Sequence, residues 1–147
     1  MVRQLPISPP AKSSATTKVM KANKARDTKP ELAVRKILWS AGIRGYRINW
    51  KKAPGTPDIC FPGKRIAIFV NGCFWHRCPK CAASLPKTNA AFWKKKFELN
   101  VARDKAKIKA LKKLDWLTLT VWECEIKKSH AEVLKRVTNL LVQRVKS

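Results

Sequence analysis

Four cysteines constrain this chain more than any other feature of its sequence. Cys73, Cys78 and Cys81 have four and two residues between them, and Cys124 follows far downstream in Trp-Glu-Cys. Three neighbouring thiolates and one distant thiolate can close a tetrahedral zinc site that ties two parts of a chain together. The alternatives are separate buried thiols or a redox Cys-Pro-Lys-Cys pair. A redox pair acts at the start of a helix, whereas here prolines surround the pair with loop. We favour a structural zinc site.

The remaining cysteine usage and the termini indicate a compartment. The chain has five cysteines, an odd number, and its basic N-terminus lacks an apolar signal core. No apolar run approaches the roughly 20 residues of a membrane span. We therefore expect thiolates rather than disulfides, a cytoplasmic location and no membrane association. Cys60, inside an apolar run, is predicted to be a small buried hydrophobic residue.

The charge indicates a polyanionic partner. Thirty-three Lys and Arg against nine acids give a formal net charge of +24 in 147 residues. Such an excess supplies a salt-sensitive affinity for phosphates, although charge alone does not separate DNA from RNA, ribosome or anionic membrane. Lysine runs at 94–96 and 105–113 are usually a solvated helix face, and a face that follows phosphates is the competing interpretation.

The length and the apolar pattern predict one folded domain. Residues 1–17 contain prolines, serines and threonines but no acid, which predicts a disordered basic arm before a single domain at 18–147. We predict a helix from Thr28 to Gly42, strands near 46–50, after the turn 54–57 and at 65–70, a helix at 89–114, a strand at 116–122 and a last helix at 129–145. This order predicts an α/β fold with a mixed sheet flanked by helices.

Two residues near the most apolar strand are candidates for chemistry. Asp58 follows a proline-rich turn at the start of a short strand, where a carboxylate can bind Mg²⁺ or simply stabilise the turn. His76 lies in the loop after the strand at 65–70 and can serve as a general acid or base. Its spacing from Cys73 also permits zinc ligation, but four cysteines already fill a tetrahedral site.

The adjacent aromatics Phe74 and Trp75 have two interpretations. An apolar pair is by default part of a core. Between a glycine and a metal site, however, the pair can be held outward and wedge between base pairs.

Eight short motifs, in this order, resemble the very short patch repair (Vsr) family of DNA mismatch endonucleases. They are Asp-Thr-Lys-Pro-Glu-Leu at 27–32, Gly-Thr-Pro-Asp-Ile at 55–59, Phe-Val-Asn-Gly-Cys-Phe-Trp-His at 69–76, Cys-Pro-Lys-Cys at 78–81, Pro-Lys-Thr-Asn at 86–89, Phe-Trp at 92–93, Asn-Val-Ala-Arg-Asp at 100–104 and Val-Trp-Glu-Cys-Glu at 121–125. Each motif alone is weak, whereas the ordered set is specific.

The resemblance implies a restriction-endonuclease-like core with a structural zinc site. It also implies a Mg²⁺-dependent monomer that nicks one strand of double-stranded DNA 5′ to the thymine of a T·G mismatch. Such mismatches arise when 5-methylcytosine deaminates, so the resemblance implies a functional link to a cytosine-5 DNA methyltransferase. It places the protein at the nucleoid in a prokaryotic cytoplasm.

The resemblance also assigns residues to the catalytic centre. Asp58 matches a Mg²⁺-binding aspartate, His76 a histidine that assists hydrolysis, and Glu31 a glutamate near the active site. Glu31 has a second, compatible role, because it stands three residues after Thr28 as in a helix capping box.

Two positions depart from the family pattern, and three match its DNA contacts. Val70 replaces a threonine but retains the backbone carbonyl through which the family binds Mg²⁺. Asn71 stands where a histidine is often found; it can donate a hydrogen bond to a phosphate but cannot transfer protons. Phe74 and Trp75 match aromatics inserted beside the mismatch, and Met20 matches a methionine that joins them.

Two rival functions share parts of this pattern. One is a nuclease of the same fold with another trigger, such as a restriction site or branched DNA. The other is a zinc-stabilised nucleic-acid-binding module without catalysis, which would not require Asp58 together with an unligated His76. A basic RNA-binding or ribosomal protein is a more distant alternative.

Overall fold

The computed structural model describes residues 27–81 and 84–146. In chain order the elements are α1 (Lys29–Ser40), β1 (Arg47–Ile48), β2 (Ile59–Phe61), a 3₁₀ turn (Pro62–Lys64), β3 (Ile66–Asn71), α2 (Ala90–Lys113), β4 (Leu117–Trp122), α3 (Glu123–Lys128) and α4 (His130–Lys146). The predicted arm at 1–17 and its boundary at 18 lie outside the described residues and stay predictions.

The four strands form one mixed sheet in the order β1-β2-β3-β4. The first two pairings are antiparallel, and β3 runs parallel to β4. Parallel neighbours need a long crossover, and here that crossover contains the 24-residue helix α2. The mixed sheet flanked by helices confirms the predicted fold class.

Strand β3 is buried along its whole length and alternates between two cores. Ile66, Ile68 and Val70 join the larger core, which also takes Val34 and Leu38 from α1 and residues from α3 and α4. Ala67 and Phe69 face a smaller core that contains Leu111 of α2. A strand with both faces covered reads as a continuous apolar run, as 66–70 does. This central strand is therefore a rigid base for the loop that follows it.

The start of α1 matches its local signal, whereas β1 and α3 differ from the sequence prediction. The Thr28 hydroxyl caps α1 by accepting a hydrogen bond from the Glu31 N–H at 3.4 Å, as predicted. The first predicted strand is shorter, only Arg47–Ile48. The short helix α3, which carries Cys124, was not predicted. Among residues 27–81 and 84–146, no helix combines the length and apolar composition needed to cross a bilayer.

Candidate active site

The sheet brings the start of β2 beside the end of β3. The antiparallel register pairs Ile59 with Ile68, so Asp58 reaches the last residues of β3. Its Oδ2 accepts a 2.7 Å hydrogen bond from the Val70 N–H. The carboxylate is thus fixed by backbone geometry rather than by another side chain. A rigidly held carboxylate at a strand end is suited to binding a metal ion.

The surroundings of Asp58 favour an added cation. Burial raises the pKa of the Asp58 carboxyl to about 6, the Val70 N–H opposes this shift, and the nearby Glu31 carboxylate adds to it. Burial and the Glu31 carboxylate thus disfavour the charged form of Asp58 when no cation neutralises that charge. Oxygen donors in a partly desolvated position are the donor set that Mg²⁺ prefers. The residues present therefore fit a Mg²⁺ ion.

Glu31 has structural partners in addition to its place near Asp58. The residue is only 3% exposed. One carboxylate oxygen accepts hydrogen bonds from the Asp27 N–H at 2.9 Å and from Arg35 at 3.4 Å. Burial raises the pKa of the Glu31 carboxyl, and these donors partly offset that shift. The return bond of the capping box goes to Asp27, one residue before the cap, so Glu31 links the start of α1 to the site.

His76 is paired with an aspartate that sequence reasoning did not assign. Its Nδ1 lies 2.7 Å from Oδ2 of Asp104, a residue of α2. Because a carboxylate accepts hydrogen bonds, the contact favours a proton on Nδ1 and leaves Nε2 for proton transfer. Asp104 was visible only as the acid that ends the 100–104 motif, within a lysine-rich helix.

The four predicted zinc ligands come together. The sulfur atoms of Cys73, Cys78, Cys81 and Cys124 all lie within 4.8 Å of one another, and this is the only such group in the described part of the chain. The Cys124 N–H also donates a hydrogen bond to the Cys73 sulfur at 3.3 Å. Four thiolates at this spacing fit a tetrahedral Zn²⁺. His76 lies outside the group.

Cys60 is separate from this cysteine cluster and is fully buried in β2. Burial raises the pKa of its thiol to about 11, so it stays protonated at neutral pH. Its predicted role as a small hydrophobic residue fits both observations.

Phe74 and Trp75 are half-buried against α2 rather than fully outward. The Phe74 ring lies edge-to-face with Trp75 at 5.1 Å and with Phe97 at 5.3 Å, and Trp75 lies 5.7 Å from Trp93. The two α2 rings are nearly fully buried, whereas Phe74 and Trp75 keep part of their surface exposed. The pair is therefore supported from below by an aromatic cluster, an arrangement between the two sequence interpretations.

One face of α2 contacts the aromatic pair and His76 in the loop after β3. Trp93 and Phe97 support the aromatics, Asn100 donates a 3.1 Å hydrogen bond to the Trp75 carbonyl, and Asp104 contacts His76. These residues recur at spacings of four, three and four, which is one stripe of a helix. Helix α2 thus holds the aromatic pair and His76 in fixed positions relative to each other.

Of the three remaining predicted site residues, the structure describes Val70 and Asn71 but not Met20. Val70 and Asn71 are 6% and 7% exposed at the end of β3, next to Asp58. Met20 lies outside the described residues, so its assignment stays a prediction.

Comparison with known proteins agrees with this geometry. A family model described as DNA mismatch endonuclease Vsr matches residues 10–82. The chain is 44% identical over 108 residues to the type II nicking enzyme V.XorIIP of Xanthomonas oryzae pv. oryzae, covering 74% of this chain and 79% of the relative.

Two further relatives extend the match. Type II nicking enzyme V.NmeAIP of Neisseria meningitidis serogroup A is 38% identical over 124 residues, covering 83% of this chain and 85% of that protein. DNA mismatch endonuclease Vsr of Escherichia coli K12 is 36% identical over 111 residues, with coverages of 76% and 70%. With the family model and relatives matched over more than two thirds of their length, the chain belongs to the Vsr family of DNA endonucleases.

Proposed function

We propose that this protein is a Mg²⁺-dependent endonuclease that nicks one DNA strand 5′ to the thymine of a T·G mismatch and so begins very short patch repair. The observation that carries this proposal is the arrangement at the end of β3 in a member of the Vsr family. The Val70 N–H holds the half-buried Asp58 carboxylate there, and the loop that follows β3 carries the half-buried aromatic pair and His76, which contacts Asp104. The relatives, a mismatch endonuclease and type II nicking enzymes by name, support the same reaction class.

Asp58 and the backbone carbonyl of Val70 would hold Mg²⁺ in this proposal. When bound, the ion would polarise the phosphodiester and lower the pKa of a water molecule. The Val70 N–H keeps the Asp58 carboxylate in place, and Glu31 adds negative charge nearby. Asn71, at the same end of β3, would donate a hydrogen bond to a phosphate oxygen.

His76 would move the proton in this reaction. Its Nε2 can take a proton from the attacking water or return one to the leaving oxygen. Asp104 holds the ring by its other nitrogen, which fixes the tautomer and stabilises the imidazolium. Asp104 is thus a positioning residue that acts through His76.

Replacing His76 with alanine should lower the single-turnover nicking rate by roughly 100- to 10,000-fold, the usual contribution of a general acid or base. Asp104→Asn should also lower the rate, because an amide does not stabilise imidazolium. Both variants should retain full zinc content, measured by atomic absorption, because His76 lies outside the cysteine cluster. Zinc loss in His76→Ala would instead identify His76 as a ligand.

Binding to DNA is proposed to combine phosphate contacts with a wedge. Phe74 and Trp75 keep exposed surface beside the site, and Met20 is assigned to the same wedge. Lys94 and Lys95, near the start of α2, are exposed and can contact phosphates. A mismatched step is easier to unstack than a paired step, so an inserted ring converts weak stacking into selectivity.

Trp75→Ala should weaken discrimination between T·G and T·A duplexes by roughly 10- to 100-fold, since stacking of one base on an aromatic ring contributes about 1–3 kcal/mol. The ring is half-buried, so the melting temperature should fall by only a few degrees. Competition binding with both duplexes and thermal melting measure the two effects. Phe97→Ala is the matched control, because Phe97 is 3% exposed and its loss should mainly lower stability.

A contrary result would be a large drop in the melting temperature of Trp75→Ala with unchanged discrimination. Trp75 would then be a core residue and not a wedge.

The four cysteines are proposed to hold a structural Zn²⁺. Three come from the loop after β3 and one from α3, so the ion would join the catalytic loop to the end of β4. The same proposal includes a monomer that acts at the nucleoid in the cytoplasm and is functionally linked to a cytosine-5 DNA methyltransferase.

A substrate comparison tests the trigger. Nicking rates should be compared on otherwise identical T·G, T·A and branched duplexes, with randomised bases flanking the mismatch. We expect nicking confined to T·G. Equal or faster cleavage of the branched or matched duplex would assign a different trigger to the same fold.

A further inference from the structure

Lys107 is held against the turn that precedes Asp58. A side-chain carbon placed on Gly55 would lie 2.6 Å from Cγ and 2.7 Å from Cβ of Lys107. Gly55 also has a φ of +77°, which favours glycine. The aliphatic part of Lys107 therefore occupies the space that any other residue at position 55 would need. This contact holds the Lys107 stem against Gly55, three residues before Asp58, the proposed Mg²⁺ ligand.

Lys107 lies on the same face of α2 as Asp104, the residue that contacts His76. Lys107 comes three residues after Asp104, on the same helical face. Asp104 contacts His76, and Lys107 contacts the Gly55 turn, so one face of α2 spans both halves of the site. Lys105 and Lys109 are exposed, whereas Lys107 is half-buried. Lys107 is therefore less accessible to solvent than the two neighbouring lysines.

In the part of the chain that the structure describes, no carboxylate forms an ion pair with the Lys107 ammonium within 4.0 Å. A lysine ammonium has three donors and no acceptor. It can therefore donate to another anion beside Asp58.

We propose that Lys107 is a catalytic residue whose ammonium binds a non-bridging oxygen of the phosphodiester that is cleaved. The assignment rests on the proposed nuclease function. As water oxygen bonds to phosphorus and one ester bond breaks, negative charge spreads over the phosphoryl oxygens, where a fixed cation stabilises it. Lys107 keeps its protons throughout, and proton transfer stays with His76. Asn71 is neutral and does not supply this charge.

The test removes the charge from each partner in turn. Lys107→Met keeps an unbranched stem over Gly55 and removes the ammonium. On the DNA, a methylphosphonate at the mapped nick position replaces one charged oxygen with a methyl group. Duplex affinities are measured without Mg²⁺, so no cleavage interferes. Lys109→Met, an exposed lysine on the same helix, is the matched control.

The wild-type protein and Lys109→Met should each bind the methylphosphonate duplex about tenfold more weakly than the phosphodiester duplex, the size of one charge-assisted hydrogen bond. Lys107→Met should bind the two duplexes equally. With Mg²⁺ and normal DNA, Lys107→Met should nick roughly 100- to 1,000-fold more slowly. Lys109→Met should nick at the wild-type rate, and Lys107→Arg should lose less than Lys107→Met.

The proposal is overturned if Lys107→Met retains the wild-type preference for the charged linkage, or if the wild-type protein shows no preference. It is also overturned if Lys107→Met and Lys109→Met nick equally fast. Melting curves check folding, and Lys107→Gln replaces the methionine variant if that variant does not fold. A wild-type protein that does not nick T·G duplexes contradicts the proposed function itself, which separates the two failures.

Discussion

Replacing Asp58 with asparagine is expected to lower the nicking rate by about 1,000-fold or more while duplex affinity changes little. In the proposed mechanism this carboxylate would supply most of the charge that binds Mg²⁺, and such an ion contributes several kcal/mol to transition-state stabilisation. Phosphate affinity is instead spread over many Lys and Arg. Single-turnover nicking and a binding titration of the same duplex measure the two quantities.

The asparagine variant should fold normally. Its side-chain oxygen can still accept the hydrogen bond from the Val70 N–H, and a neutral amide avoids the cost of burying a charge. Asp115→Asn is the matched control, because Asp115 is 79% exposed and has a positive φ that asparagine tolerates. Near-normal Mg²⁺-dependent nicking by Asp58→Asn would remove Asp58 from the mechanism.

Replacing Cys78 with serine is expected to abolish stoichiometric zinc binding and unfold or loosen the domain. Zinc contributes on the order of 10 kcal/mol to small metal-organised folds, comparable to the whole stability of a domain. Cys78 is only 2% exposed, and its sulfur lies 3.8 Å from that of Cys124. Metal analysis together with thermal melting, before and after a strong chelator, measures the effect.

Cys60→Ser provides the control for this variant. It makes the same atomic change in a buried position, but Cys60 is outside the cluster, so zinc content should stay unchanged. Stability should fall only by about 1–3 kcal/mol, the cost of a buried hydroxyl without a good partner. Equal zinc loss in both variants, or full zinc retention in Cys78→Ser, would contradict the ligand set.

Local signals were sufficient for most of the fold. The continuous apolar run at 66–70 predicted the most buried strand, and the Thr28 signal predicted the start of α1. Local signals failed where tertiary contacts determine which side of a helix is buried and where a short helix forms. Leu32 is apolar but 49% exposed, because Val34 and Leu38, on the opposite side of α1, face the core. The short helix α3 has too few residues for an apolar period.

The site was predictable in its residue types and less so in its contacts. The cysteine spacing predicted the cluster, because three of its members are close in sequence. The pairing of His76 with Asp104 joins residues 28 positions apart, which no local pattern reports. The support of Phe74 and Trp75 by α2 has the same origin. Local sequence signals named Asp58 and His76 as candidates for chemistry, and the family resemblance assigned both to one catalytic centre.

The most direct test of the proposed function is a nick-mapping experiment on one duplex. Each strand of a T·G duplex is end-labelled, and purified protein is added with and without Mg²⁺, beside the matched T·A duplex. The proposal predicts a single nick immediately 5′ to the mismatched thymine, only with Mg²⁺ and only in the thymine strand. Cleavage without Mg²⁺, cleavage of both strands, or equal cleavage of the T·A duplex would contradict it.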